Sequence, residues 1–145
     1  MNSLATQHEA DTYLEYSLKK RVWNNFQEQM SALVSATRII MNLPLKQATL
    51  TELTDYLNEV ENSTIPEAIK EACIEIALAL ADGIDPEMEY RQLTKTTQGY
   101  GPLRQTKDTT MVEQYLAVGV PSLAAWTRLI PYLNIADIVV LERVS

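Results

Sequence analysis

The chain has 145 residues, 46% hydrophobic and 21% charged, with a formal charge of −7 and a pI near 4.7. That length suits one core, and the acidic balance repels phosphate backbones at long range, which weighs against general nucleic-acid binding. One cysteine excludes an internal disulfide framework, one cysteine with one histidine excludes structural zinc, and no uncharged apolar run nears the ~20 residues of a membrane span; we therefore expect a soluble protein without a leader, made in a reducing cytoplasm.

In chain order, Thr6 and Glu9 form a capping box ahead of a helix over about 7–17, with Ala10, Tyr13, Leu14 and Ser17 on one face. "KKRVWNN" breaks that period and reads as a turn. A second helix runs from Phe26 until Pro44 stops it, with Phe26, Met30, Leu33, Thr37, Ile40 and Met41 at three- and four-residue steps. Thr49 and Glu52 suggest a second capping box, opening a helix striped by Leu50, Leu53, Tyr56, Leu57 and Val60. A fourth helix is expected to be capped by Thr64, with Pro66 in its first turn, Glu67 completing the box, and Gly83 just past the end. Ile65, Ile69, Cys73, Ile76 and Leu80 line one side of it. Ala68, Ala72, Ala79 and Ala81 permit close approach of a neighbour.

After a short helical stretch over 86–93 comes "TKTTQGYGPLRQTK", residues 94–107, which has no helical period. Its threonines favour extended backbone and Gly99-Tyr100-Gly101-Pro102 supplies a turn, so it reads as a two-stranded arm with too little apolar weight to be held by its own domain. "VPSLAAWTRLIPYL" is a last short helix with Leu123, Trp126, Leu129 and Ile130 apolar. The chain ends in "NIADIVVLERVS", whose run Ile138, Val139, Val140 and Leu141 calls for docking. The expected fold is mainly α and one domain: a small helical bundle over about 6–93 and 120–133, a β-hairpin-like arm over about 94–107, and an extended C-terminal tail over 134–145.

Few residues suggest chemistry. His8 reads as a solvated surface group, and Cys73, on the core stripe without a cation to lower its pKa, as a structural thiol. Glu67, Glu71 and Glu75 read as a solvated face, for want of a Glu-x-x-His pair. "GYGP" lacks the Gly-Lys-Ser/Thr of a phosphate loop, and no Gly-x-Ser-x-Gly element occurs. We expect no enzyme, no cofactor and no metal. Lys95, Arg104 and Lys107 make the arm locally basic, and Tyr100 is able to stack on a base or to pack at a protein interface. "LKKR", residues 18–21, is a second basic cluster.

Three blocks resemble one family. "NSLATQHEADTYLEY" resembles the opening of the small head–tail adaptor, or head-completion, proteins of tailed bacteriophages, where a short "NSY" element precedes an "EADAYL"-like helix. "SALVSATRIIMNL" resembles their "ALIRATRYLD"-type second helix. "IPEAIKEACIEIALALADG" with "KTTQGYGPLRQTK" resembles their fourth helix and extended "V-GPL-V-Y" arm. Order and spacing agree over most of residues 2–107. Two stretches depart: 46–62 is helical here where many relatives carry a loop bearing proline and tryptophan, and the C-terminal segment is longer and more apolar. Some members are labelled DnaT-like single-stranded-DNA-binding proteins, but this chain, with 1 Phe and 2 Trp, has few stacking platforms.

The resemblance implies a virion protein at the head–tail interface, in a homo-oligomeric, typically dodecameric, ring under the portal protein. The ring joins portal to a downstream tail or nozzle protein and continues the channel through which genomic DNA passes without sequence recognition. It implies that the arm residues Thr94, Lys95, Thr97, Tyr100, Pro102, Leu103 and Arg104 pair with neighbours, and that Ile138, Val139, Val140, Leu141 and Arg143 dock on the portal or an adjacent subunit. Two other classes stay open: a single-stranded nucleic-acid-binding module using Lys95, Tyr100, Arg104 and Lys107, and an unrelated helical interaction protein.

Overall fold

A computed structural model describes residues 2–84, 115–116 and 118–134. The expected stretch over 86–93, the arm and the tail beyond Asn134 lie outside them. The described residues form helices α1 (Gln7–Tyr13), α2 (Lys20–Asn25), α3 (Gln29–Met41), α4 (Gln47–Leu57), α5 (Glu67–Ala81) and α6 (Leu123–Leu129), the last running into a 3-10 turn at Ile130–Tyr132. The mainly α expectation holds for these residues.

The organising element is α5. Ile69, Ala72, Cys73, Ile74, Ile76, Ala77, Leu78 and Ala79 are all buried, so the helix is covered on more than the one stripe its sequence period suggests. Its closest partners are α3 on one side and α6 on another. The alanines at 72, 77 and 79 remove bulk where those helices approach, while Leu33, Ile40, Trp126 and Leu129 supply it from the facing sides. The α5 C-terminus is closed as expected. Gly83 takes φ +84°, its N–H donates to Leu80 O at 3.0 Å, and the Ile84 N–H donates to Ala79 O at 3.1 Å. That pair of bonds satisfies carbonyls the last turn would otherwise leave open. The N-terminus differs from expectation: Pro66 is the cap residue, and neither Thr64 nor any other side chain caps the helix.

The α1 capping box is present in full. Thr6 Oγ1 accepts from the Glu9 N–H at 3.1 Å, and Glu9 Oε1 accepts from the Thr6 N–H at 3.0 Å. The helix stops earlier than its pattern suggests, at Tyr13, and residues 14–19 form a hydrogen-bonded turn.

The segment expected to be a turn, "KKRVWNN", is instead helix α2. Trp23 is fully buried there and its Nε1–H donates to Asp11 Oδ1 at 3.1 Å. Burial of one indole outweighs a weak local pattern, since truncating such a side chain costs about 3–5 kcal/mol.

In α3 the buried face is Ala32, Leu33, Ala36, Thr37 and Ile40. Met30 lies at 45% exposure, and Phe26 belongs to the end of α2 and not to α3. In α4 the expected box fails: the helix starts three residues earlier, at Gln47, so Thr49 sits inside the first turn, buried, and Lys46 is an uncapped start. Val60 lies beyond α4, exposed, and Leu123 at the start of α6 is exposed as well. Ser122 caps α6 by accepting from the Ala125 N–H at 3.2 Å.

The N-terminal strap is part of the core. Leu4 and Ala5 are fully buried, the Leu4 N–H donates to Thr37 Oγ1 at 2.9 Å, and Asn2 Nδ2 donates to Leu57 O at 2.9 Å. At the other end, Leu45 and Leu133 form an antiparallel bridge: the Lys46 N–H donates to Tyr132 O at 2.9 Å and the Asn134 N–H to Pro44 O at 2.7 Å.

Candidate functional site

None of the expected interface residues falls within the described residues: Thr94, Lys95, Thr97, Tyr100, Pro102, Leu103 and Arg104 of the arm, and Ile138, Val139, Val140, Leu141 and Arg143 of the tail, lie outside them. What is placed is the helical body. The last residue described before the arm, Ile84, is tied to Ala79 by its N–H. The last residue before the tail, Asn134, is tied to Pro44, and Leu133 is extended at φ −97°, ψ 151°. Ile84 and Asn134 are thus each fixed to the helical body by a backbone hydrogen bond.

The residues weighed for chemistry are built into the scaffold. Cys73 is fully buried under the strap, with Leu33 O and Thr37 Oγ1 each 3.7 Å from its sulfur. Burial pushes its thiol up to about 11, against smaller opposing pulls from Thr37 and the Ala5 and Leu4 backbone. A thiol held protonated and enclosed is a poor nucleophile. His8 is exposed and lines a shallow cleft of about 370 Å³ with Asp11, Thr12, Glu15, Lys20 and Trp23.

Of the α5 acids expected to be solvated, Glu67 is exposed, while Glu71 and Glu75 are engaged. Glu71 Oε1 lies 3.5 Å from Arg128 Nε, and Glu75 Oε2 accepts from the Tyr13 hydroxyl at 3.3 Å. Arg128 also reaches over the Tyr13 ring, 6.0 Å from its centroid. Burial, reinforced by the charge of Glu75, raises the Tyr13 pKa, with Arg128 opposing.

One turn away, Lys70 Nζ meets Glu9 Oε2 at 2.8 Å and lies 5.6 Å from the centre of the Tyr56 ring. Partial burial pushes the Glu9 carboxyl up, but hydrogen bonds from Lys70 and Thr6 outweigh it and leave the pKa lowered. The hydrogen bond to Glu9 raises that of Lys70. These groups staple α1, α4 and α6 to α5. Among the described residues no group of three or more His, Cys, Asp or Glu side chains converges as a metal site, and no helix is long and apolar enough to cross a membrane.

Surface features missed by sequence reasoning are more informative. On the α1–α2 turn Tyr16 is 92% and Leu18 102% exposed, followed by Lys19, Lys20 and Arg21. At the other end of the body, Met30, Tyr56 and Val60 line a groove of about 340 Å³ with Asn2, Ser3 and Glu59. A helical stripe pattern assigns Met30 and Val60 to the core, so only the observed start of α3 and end of α4 reveal them as surface. A second groove, of about 490 Å³, runs between α3 and the end of α4, lined by Val34, Met41 and Leu57 among others.

Compared with known proteins, the chain matches no protein-family model, no curated protein and no solved structure.

Proposed function

We propose that the chain is a head–tail adaptor subunit of a tailed bacteriophage, a joining protein that forms a ring on the portal and extends the DNA channel toward the tail. The observation that carries this reading is the resemblance of three ordered blocks, "NSLATQHEADTYLEY", "SALVSATRIIMNL" and "IPEAIKEACIEIALALADG" with its following arm. The helical body supports it. Ile84 and Asn134, the last described residues ahead of the arm and the tail, are tied to the body by backbone hydrogen bonds, which suits a body that offers extended segments to neighbours. The buried thiol and the ion pairs that serve as staples suit a scaffold that joins. A net charge of −7 suits a ring through which DNA slides without being gripped.

In this proposal Thr94, Lys95, Thr97, Tyr100, Pro102, Leu103 and Arg104 contact the next subunit, and Ile138, Val139, Val140, Leu141 and Arg143 dock on the portal. The arms add area because a standard stable interface buries on the order of 1,600 Å², more than a small body offers on several sides. The test is co-purification with portal rings from the same genome, for the full chain and for a deletion of residues 138–145. The full chain is expected to co-elute with portal; the deletion is expected to keep the helical circular dichroism of the body and elute alone. Failure of the full chain to bind its portal refutes the proposal, and equal binding by the deletion refutes the role of the tail.

A further inference from the structure

We propose that Leu18, on the α1–α2 turn of one copy, seats in the Met30–Val60 groove of a second copy, and that this head-to-tail contact propagates the assembly. The inference rests on the ring reading and gives it a specific subunit contact within the described body.

The knob is rigid. The Ser17 N–H donates to Leu14 O at 3.0 Å, the Lys20 N–H to Ser17 O at 3.2 Å, and the Lys19 N–H to Ser17 Oγ at 3.1 Å. Leu18 is thus held fully in solvent by a closed turn, with Tyr16 beside it. A preformed projection loses little conformational freedom on docking.

The groove is equally fixed. The Val60 N–H donates to Asp55 O at 3.0 Å and the Ser63 N–H to Val60 O at 3.1 Å, with Glu59 and Asn62 at φ 59° and 64° holding the tight turn. Met30 and Val60, 45% and 48% exposed, form its apolar floor with Tyr56. Its volume of about 340 Å³ admits a leucine side chain and part of a tyrosine ring.

The charges match. Lys20 and Arg21 flank the knob without an ion pair among the described residues, while Lys19 is held by Asp82 at 3.3 Å and Glu15 is a nearby acid. The groove has exposed Glu59 in its lining, and exposed Glu61 follows Val60 in the chain. Lys70, 5.6 Å from the Tyr56 ring that lines the groove, is already taken by Glu9. A mildly basic knob thus faces an acidic socket, the pairing that fixes register and excludes like-charged approach.

Position makes the contact head-to-tail. The pairs Glu9–Lys70, Tyr13–Glu75 and Lys19–Asp82 show that α1 and its turn climb alongside α5 in the same direction. The knob therefore lies at the C-terminal end of α5 and the groove, with Tyr56 and Ser63, at its start. The 15 residues of α5 separate them by about 22 Å. Each copy offers one knob and one socket at opposite ends, an arrangement that generates a ring where the rotation closes.

The test uses full-length chain in sedimentation velocity, with Leu18→Asp and Val60→Asp as surface variants and melting curves to confirm that each stays folded. Wild type is expected to form species larger than a dimer as its concentration rises toward about 1 mM. Each variant alone is expected to associate at least about thirtyfold more weakly, the loss typical of a central contact. Mixed in equal amounts, the two variants are expected to form a 1:1 dimer and stop, because only one intact knob–socket pair remains. Wild type that stays monomeric or stops at a dimer overturns the contact. Variants that assemble as wild type does overturn it too, while leaving the ring reading standing on other surfaces.

Discussion

Thr37→Val probes the joint that holds the N-terminal strap. Thr37 Oγ1 donates to Leu33 O at 2.9 Å and accepts from the Leu4 N–H at 2.9 Å, in a site where both residues are buried. Valine keeps the shape of threonine, so no cavity opens, and Leu33 O retains its backbone helix bond. The Leu4 N–H is left buried without an acceptor, which costs about 1–3 kcal/mol. At roughly 2–4 °C per kcal/mol for a chain near this size, the melting temperature is expected to fall by roughly 2–12 °C.

A second readout separates strap loosening from general weakening. Cys73 lies under the strap with its thiol pushed up to about 11, so a thiol-reactive disulfide reagent reaches it through opening of the strap. If the lost bond weakens that local closure, labelling accelerates by roughly fivefold to a hundredfold, at ~1.4 kcal/mol per decade. Thr37→Ser keeps the acceptor and is expected to label at close to the wild-type rate despite losing a methyl group. An unchanged urea midpoint with unchanged labelling in Thr37→Val would refute the reasoning.

Gly83→Ala places a side chain at φ +84° where nothing lies within 4 Å, so its cost is purely conformational. We expect a loss of about 1–2 kcal/mol by urea unfolding, and a neutral result would deny the left-handed closure of α5. Glu59→Gly acts in the opposite sense, since Glu59 occupies the same position after α4 at φ 59°. Relief of the left-handed strain, less the extra freedom of the unfolded chain, is expected to add about 0.5–1 kcal/mol.

For pH, the lowered Glu9 carboxyl means that the folded state binds its proton less tightly than the unfolded state does. Its stabilisation is therefore present above the ordinary carboxylate range and lost as pH falls through the lowered value. Lys70, raised, contributes below its ordinary range and loses that contribution as pH rises through the raised value. Glu9→Gln is expected to flatten the acid limb of the stability curve by under about 1 kcal/mol, because both groups are partly solvated. An acid limb identical to wild type would show that the pair is inert.

The features read correctly from the sequence are those decided within a few residues. The Thr6–Glu9 box and the Gly83 closure depend on local backbone and side-chain chemistry, and both appear as expected. Thr49 and Glu52 carry the same local pattern, yet α4 begins at Gln47, close to where Leu45 and Lys46 are held by Leu133 and Tyr132 across the molecule. Lys20–Asn25 went unread because its helix rests on Trp23, whose burial and bond to Asp11 are tertiary facts. Glu71 and Glu75 read as solvated from the sequence because their partners, Arg128 and Tyr13, lie far away in the chain. The exposed Leu18 and the Met30–Val60 groove were invisible for a related reason: a helical stripe marks apolar residues without saying where the helix ends.

We propose that this chain joins portal to tail. The most direct measurement is electron microscopy of the full chain mixed with portal rings from the same genome. Averaged end-on views with an added coaxial ring, each subunit touching the next through its α1–α2 turn, are the expected result. Bare portal rings beside free monomers at every concentration tried would contradict it.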